Sequence, residues 1–447
     1  MRKVLLVALG STARADCLAE AIEKSADTDL YSYLQSPNPS VIKRSKENLL
    51  GKVDDFPKIL EFAKRVRPDL AIISPDYAIA IGVADILAGL EIPVFAPKKS
   101  LARLESSKSF TRNLMDRYKI EGSPEHKVFE TGEGLKDYML YLKDFVVKPD
   151  GLTGGKGVKV FGEHLKTIDE AFAYSKEILA AGSKVVLEER LEGEEFSIQF
   201  FTDGRTVLPS PIVQDHKRAF DGDRGPNTGG MGSYSAANHL LPFLSKKDLQ
   251  DAEFITHKVA FALKEELNEH FRGIMYGGFM LTADGVKLIE YNARFGDPEI
   301  MNILPIMKSD FVDVCSAAAN GSLSKVKLEF EEKATVCKYA VPEGYPDSPK
   351  KGGIIDISAL ADSSQRYYLG AVEETGEDSP WKLRMGTSRA VACLGVADSI
   401  EEAERIAEHT VRQVKGPVFH RQDIGTRQLL RKRVDHINQI RAGKKSR

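Results

Sequence analysis

Residues 144–162 read DFVVKPDGLTGGKGVKVFG, and most of the chain is legible as a support for them. Gly151, Gly154, Gly155 and Gly157 surround Lys156 and follow Lys148. Glycine has no Cβ, so its backbone N–H approaches a polyanion closely and its backbone takes angles that other residues avoid. Lysines embedded in such a run predict a phosphate cradle. It is not a Walker A loop: the spacing is GxxxGK, one residue short, and Gly157 stands where Ser or Thr would hold magnesium. Phe145-Val146-Val147 precedes the run and Val158-Lys159-Val160-Phe161 follows it. The setting is therefore strand–loop–strand, whereas a P-loop opens a helix. Taken alone, the run is equally a flexible surface hairpin, and the rest of the chain decides.

At 447 residues there is room for about three domains. A formal net charge of -2 gives no reason to expect nucleic acid. Cys17, Cys315, Cys337 and Cys393 lie far apart without a CxxC, which argues against a cysteine-built zinc site and fits a reducing cytosol. Arg2-Lys3, Val4–Leu9 and Ala13-Arg14-Ala15 trace the outline of a signal peptide. Its apolar core is barely long enough, and Arg14 and Asp16 spoil the cleavage region, so a first strand ending at Gly10-Ser11 explains it better. No apolar run approaches the roughly 20 residues of a membrane span. The expectation is a cytoplasmic protein with small-molecule partners and no membrane contact.

Residues 1–105 alternate predicted strands (Val4–Leu9, Leu30–Leu34, Leu70–Ser74, Pro93–Phe95) with predicted helices (Arg14–Lys24, Phe56–Arg67, Ile79–Gly89). This predicts an open α/β domain with a parallel sheet and ligand-binding carboxyl ends at Gly10–Arg14 and Ser74-Pro75-Asp76. From Leu101 one helix is expected through LARLESSKSFTRNLMDRY, with Lys108 in its middle, where lysine is ordinarily a solvated residue. The glycine loop, a helix Ile168–Ala180 and a strand Lys184–Glu188 follow, and acidic residues crowd the next turn.

Residues 214–235, QDHKRAFDGDRGPNTGGMGSYS, have no apolar periodicity. A loop this long inside a domain is functional or disordered, and its charge and histidine favour an ordered substrate loop over a linker. After a helix Lys246–Glu269 comes GGFMLTADGVKLIEYNARFGDPE at 277–299, a hairpin turning at Asp284-Gly285. Side chains alternate across a strand, so Leu288, Glu290, Asn292 and Arg294 are expected on one face and Ile289, Tyr291 and Ala293 on the other. A carboxylate, an amide oxygen and a guanidinium in line make a hard-cation site beside an anion clamp. The plain alternative is the exposed polar face of an antiparallel strand. From about Phe330 a separate α+β lobe is expected, entered through the turn-rich Val341–Pro346, with strands at Gly353–Ile357, Tyr367–Val372 and Arg389–Val396 and a helix Ile400–Lys415. The basic stretch Arg431–Arg447 reads as a frayed, solvated terminus.

A glycine–lysine loop between strands, an acidic hinge, a strand ending in Glu-x-Asn and an α/β unit in front together resemble the ATP-grasp fold. The finer resemblance is to the phosphoribosylamine–glycine ligase (glycinamide ribonucleotide synthetase) family. It is carried by VVKPDGLTGGKGV at 146–158, QDHKRAFDGDRGPNTGGMGSYS at 214–235 and YGGFMLTADGVKLIEYNARFGDPE at 276–299, with weaker likeness in GYP at 344–346 and HRQDIG at 420–425. It implies a mixed α/β and α+β architecture. An open α/β domain at 1–105 would precede an ATP-grasp domain at 106–328, with a lid subdomain at about 125–190. A small α+β domain at 329–430 and the basic tail 431–447 would follow.

The resemblance also implies residue roles. Lys108 and Lys148 would contact ATP phosphates, and the 151–157 loop, with Gly154, Gly155, Lys156 and Gly157, would fold over them. Glu188 through Leu191 would meet adenine and Glu195 the ribose. Glu290 and Asn292 would bind Mg2+ (or Mn2+). Asp215 and Arg294 would hold the ammonium and carboxylate of glycine. The implied reaction activates glycine as an acyl phosphate and transfers it to 5-phosphoribosylamine in purine biosynthesis, in a monomer or homodimer. The chain departs from the family in its first domain. Of a GxGGREHA-like turn only Gly10 and Arg14 match, and Ser74-Pro75-Asp76 keeps only the proline of a GPE-like stretch. An ATP-grasp ligase joining another carboxylate and amine therefore stays open. A dinucleotide-dependent oxidoreductase lacks GxGxxG after the first strand, and a nucleotide sensor would not need the whole metal and substrate array.

Overall fold

The computed structural model describes residues 1–152, 157–361, 365–376 and 379–445. Strands Arg2–Ala8, Thr28–Leu34, Glu47–Leu50, Leu70–Ile73 and Val94–Phe95 form a parallel sheet. Val4–Ala8 is fully buried, as helices covering both faces require. Spatial order runs third, second, first, fourth, fifth. The order reverses between the first and fourth strands, so the switch point lies at the carboxyl ends leading into Gly10–Arg14 and Ser74–Asp76.

Three local features depart from the periodic pattern. A helix Pro39–Arg44 and the strand Glu47–Leu50 fill the region after the second strand, and Asn38 caps that helix from Oδ1 with Pro39 at its first position. The helix expected over Ile79–Gly89 is broken at Gly82, whose φ of 100° ends Asp76–Ile81 and starts Val83–Ala88. The helix expected from Leu101 is broken at Ser107, whose extended backbone and hydroxyl cap a new helix, Lys108–Arg117. Lys108 is thus the first residue of a helix, not its middle.

The next unit is a four-stranded antiparallel sheet, His126–Phe129, Val185–Glu189, Phe145–Pro149 and Lys159–Val160 in that order. Helices Leu135–Leu142 and Ile168–Ala180 cover it, and Phe129, Met139, Phe145, Val147 and Val185 belong to a core of its own. A second antiparallel sheet orders Val207–Pro209, Glu194–Thr202, Gly273–Thr282 and Gly285–Asn292, packed against the long helix Lys246–Leu267.

The C-terminal sheet is built on Ala334–Pro342, a strand buried at every residue that the turn-rich Val341–Pro346 had obscured. Its Lys338 is fully buried, with Nζ 2.6 Å from Glu404 and 2.7 Å from Glu408 on the covering helix Ile400–Val411. That helix lies so close that a Cβ at Gly395 would meet the Ala403 carbonyl oxygen at 1.8 Å. Strands Gln214–Asp215 and Gly232–Ser235 form one edge of this sheet, which therefore crosses the 328/329 division.

The basic terminus is a helix, Arg427–Lys445, rather than a frayed end. Leu429 and Ile437 are buried, and Leu430, Val434 and Ile440 pack against the main core. This is a helical stripe hidden among charges. No described helix is long and apolar enough to cross a membrane.

Candidate active site

A cleft of about 700 Å3 opens between the two antiparallel sheets. Lys148, on the strand Phe145–Pro149, reaches the Glu188 carboxylate from one side. Arg112, one turn after Lys108 on the same helix, reaches it from the other, with Nε to Oε1 at 2.7 Å and Nη2 to Oε2 at 3.1 Å. Arg112 also donates to the Ile289 carbonyl at 2.7 Å, so one buried carboxylate ties helix and strands together. Burial alone would raise the Glu188 pKa, but the two cations outweigh it and hold it at about 2. Its side chain is committed to this pairing, and Glu189, Arg190 and Leu191 line the cleft beside it.

Lys108 donates from Nζ to the Gly151 carbonyl at 2.8 Å, and its pKa is lowered by burial and by nearby Lys148 against the pull of Glu290. Asp150 accepts from the Ser109 backbone at 3.1 Å and from the Ser109 hydroxyl at 2.6 Å, pinning the start of the glycine loop to the helix that carries Lys108. Gly154, Gly155 and Lys156 lie outside the described residues. Gly157 does not line the cleft; its carbonyl accepts from the Tyr174 hydroxyl at 2.8 Å, and Gly151, Leu152, Val158 and Val160 form that wall.

On the facing strand the simple alternation fails at one residue. Gly278 pairs with Glu290 and Phe279 with Leu288, leaving Ile289 as a bulge. Leu288 therefore turns into the core with Val286, while Ile289 joins Glu290, Asn292 and Arg294 in the cleft. Tyr291 and Ala293 stay buried behind them. Burial opposes the Glu290 charge, yet Lys217, Lys148, Lys108 and Arg294 together lower its pKa. Asn292 Oδ1 accepts from Arg294 Nη2 at 3.2 Å, and the same nitrogen lies 3.2 Å from Glu105. Arg294 Nε is buried without a partner.

Asp215 sits across the cleft. Burial, then neighbouring Glu299, pushes its pKa up against Lys217 and Arg389. Lys217, partly open to solvent, stands among Glu195, Glu290, Asp215 and Glu299, and this ring of carboxylates raises its pKa. Glu195 lies 3.5 Å from it on the cleft wall. The GPNTGGMG turn closes this end. At Gly230, φ 107°, a Cβ would lie 2.5 Å from both Asp215 Oδ1 and Pro298. Arg389 reaches over from the C-terminal sheet, with Nη1 2.6 Å from the Gly229 carbonyl and 2.9 Å from those of Gly230 and Asp297. The first domain supplies Thr12, Arg14 and Asp76, and the Thr12 hydroxyl and Arg14 Nε are buried without partners.

Of the residues singled out from sequence, Lys108, Lys148, Glu188, Leu191, Glu195, Asp215, Glu290, Asn292 and Arg294 line this one cleft. Arg112, Lys217, Glu299, Arg389 and Glu105 were not singled out. Arg112 stands one turn after Lys108, and Lys217 and Glu299 lie inside the quoted motifs, so each carried a signal. Nothing local marks Arg389.

Sequence models of phosphoribosylglycinamide synthetase match almost the whole chain: its N domain at residues 2–105, its ATP-grasp (A) domain at 106–300 and its C domain at 335–427. The chain belongs to the phosphoribosylglycinamide synthetase family. Phosphoribosylamine–glycine ligase from Methanocaldococcus jannaschii is 47% identical over 450 residues, covering 98% of this chain and 100% of that protein. The ligase of the same name from Methanococcus maripaludis is 46% identical, again over 98% of this chain and 99% of its own length. The crystal structure of phosphoribosylamine–glycine ligase from Thermotoga maritima superposes with a TM-score of 0.77 at 29% identity, covering 94% of this chain and all of that one. A biotin carboxylase from Campylobacter jejuni shares the fold alone, with a TM-score of 0.72 at 14% identity, 98% of this chain and 96% of its own. The fold of this synthetase family member is thus the three-domain ATP-grasp architecture, and its class of activity is ATP-dependent ligation.

Proposed function

We propose that the chain joins glycine to 5-phosphoribosylamine at the expense of ATP, giving glycinamide ribonucleotide, ADP and phosphate. One observation carries this reading: the three motif segments, far apart in sequence, meet in one cleft lined by interleaved cations and carboxylates. The glycine carboxylate attacks the γ-phosphorus, ADP leaves, and the amine attacks the carbonyl of the acyl phosphate and releases phosphate. Bringing a carboxylate to a polyphosphate opposes like charges. Lys108 and Lys148 offset that repulsion, and preorganised charge of this kind is usually the largest catalytic contribution. Arg294 receives the glycine carboxylate through its unpartnered Nε, and Asp215 receives the ammonium. Glu195 holds the ribose, and the 189–191 backbone faces adenine.

Magnesium fits the donor set. Glu290 accepts no hydrogen bond among the described residues, stays ionised, and stands beside the Asn292 amide oxygen. No group of three or more His, Cys, Asp or Glu forms a metal cage among the described residues, which agrees with an ion that takes one or two protein oxygens and completes its shell with water and phosphates. Bound there, it would neutralise charge on the phosphates. The reaction needs no nucleophilic side chain; positioning carries it.

The four buried, unpaired cysteines support the expectation of a reducing cytoplasm. A second reading, another amine acceptor, is favoured by the first domain, where only Gly10 and Arg14 remain of the family's opening turn. A coupled assay of ADP release across a panel of amino acids and amines decides between them. Release that requires both glycine and 5-phosphoribosylamine is expected, and release with a different amine overturns the substrate assignment.

A further inference from the structure

The C-domain sequence model stops at residue 427, where the helix Arg427–Lys445 begins. Its inward face carries two basic side chains to the corner of the cleft. Arg433 donates from Nη2 to Asp223 at 2.6 Å, and its Nη1 lies 3.4 Å from Glu194 Oε2. His436 Nδ1 lies 2.6 Å from the other oxygen of Glu194. Glu194 is only 4% exposed, so its charge depends on these partners. Gln214 completes the corner. Its Nε2 lies 3.4 Å from Glu194 and donates to the Glu195 carbonyl at 2.9 Å, while its Oε1 accepts from the Tyr234 hydroxyl at 2.6 Å. Glu194 and Glu195 are neighbours on the strand Glu194–Thr202 and both line the cleft, so anchoring Glu194 sets how Glu195 enters it. Asp223 belongs to the turn between strands Arg218–Phe220 and Arg224–Asn227, in the same segment as Asp215 and Lys217. Arg433 and His216 themselves reach the cleft wall, and Arg433 Nε and both His216 nitrogens are buried without partners.

We propose that this C-terminal helix is a working part of the nucleotide site, with Arg433 as a positioning residue: by holding Glu194 and Asp223 it fixes Glu195 and the 214–227 segment at the ribose end of ATP. This rests on the reading that the Glu195 side of the cleft receives the ribose. Without Arg433 a buried carboxylate loses its cation, and the hairpin carrying Asp223 loses one of its two arginine partners, the other being Arg421 at 3.1 Å.

The test compares full-length Arg433→Gln, Arg433→Lys, His436→Gln and Arg441→Gln by calorimetric titration with MgADP and by KM for ATP and glycine. Arg441 is the control on the same helix: it pairs with Asp248 at 3.1 Å, away from the cleft. Arg433→Gln should weaken MgADP binding and raise KM for ATP about 10-fold. KM for glycine should change less than KM for ATP, because Arg433 meets Glu194, next to Glu195, directly and reaches Asp215 only through the turn at Asp223. Arg433→Lys should recover most of the affinity, and Arg441→Gln should retain all of it. If Arg433→Gln fails to fold, His436→Gln, which removes the other partner of Glu194, decides: it must weaken MgADP more than Arg441→Gln does. A lowered Tm with unchanged MgADP affinity, or equal losses for Arg433→Gln and Arg441→Gln, overturns the proposal. MgADP binding does not depend on which amine is used, so a wrong substrate assignment leaves this test readable. Failure of the unaltered chain to bind MgADP would instead overturn the nucleotide reading on which the proposal rests.

Discussion

Glu290 is the residue where charge, burial and open coordination coincide. Glu290→Ala should lower kcat/KM by about 100-fold or more, since on the proposed reading it removes a ligand of the magnesium that offsets phosphate charge. A magnesium titration of the variant checks the role, and turnover with unchanged magnesium dependence contradicts it. Glu188 differs: its charge is spent on Arg112 and Lys148. Glu188→Gln leaves two buried cations short of a partner and should cost about 3–5 kcal/mol in denaturant unfolding. His216 predicts a pH effect. Burial, then Arg421 and Arg433, lowers its pKa to about 3, against roughly 6.5 for a free imidazole. Between those values the unfolded chain binds a proton that the folded one does not. Stability is therefore present above about pH 6.5 and lost as pH falls toward 3. Urea melts of His216→Gln in that window should show a slope shallower by about 1.4 kcal/mol per pH unit.

At the scale of elements, caps and bulges position the chemistry. Ser107 starts the helix whose first residue is Lys108, and its hydroxyl also meets Asp150 at 3.1 Å. Ser107→Ala should cost about 1 kcal/mol of stability, read by denaturant melts, and should raise KM for ATP because Lys108 loses its support. The same elements show what local sequence carries and what it does not. The helix Ile168–Ala180 was predicted residue for residue because Thr167 caps it and its pattern is regular. Glu290, Asn292 and Arg294 were legible as one face, but Leu288 and Ile289 exchanged places, since a bulge depends on the partner strand. Ala334–Pro342 was hidden because the Glu404 and Glu408 that neutralise Lys338 lie far along the chain. The terminal helix was hidden because its acidic partners Glu194, Asp223 and Asp248 lie about two hundred residues away. Motif chemistry survives in local sequence; tertiary charge pairing does not.

The whole molecule packs around three clusters of buried apolar residues. The sheet of Phe145–Pro149 has an apolar core of its own and a smaller one lies in the C-terminal lobe around Ile355, Leu383 and Val391, whereas the largest joins the first domain, the second antiparallel sheet and part of the C-terminal sheet. A unit with a separate core can move against the rest. Hydrogen exchange should therefore slow across residues 126–152 and 157–189 when ATP and magnesium are added, with the parallel sheet of the first domain unchanged. Uniform slowing, or none, contradicts a closing unit. The central claim remains chemical: a glycine carboxylate oxygen becomes bonded to phosphorus before the amide forms. Turnover with glycine whose carboxylate oxygens are both isotopically heavy tests it most directly. Inorganic phosphate carrying one heavy oxygen per turnover is the predicted result. Unlabelled phosphate released along with the ligated product would contradict the account.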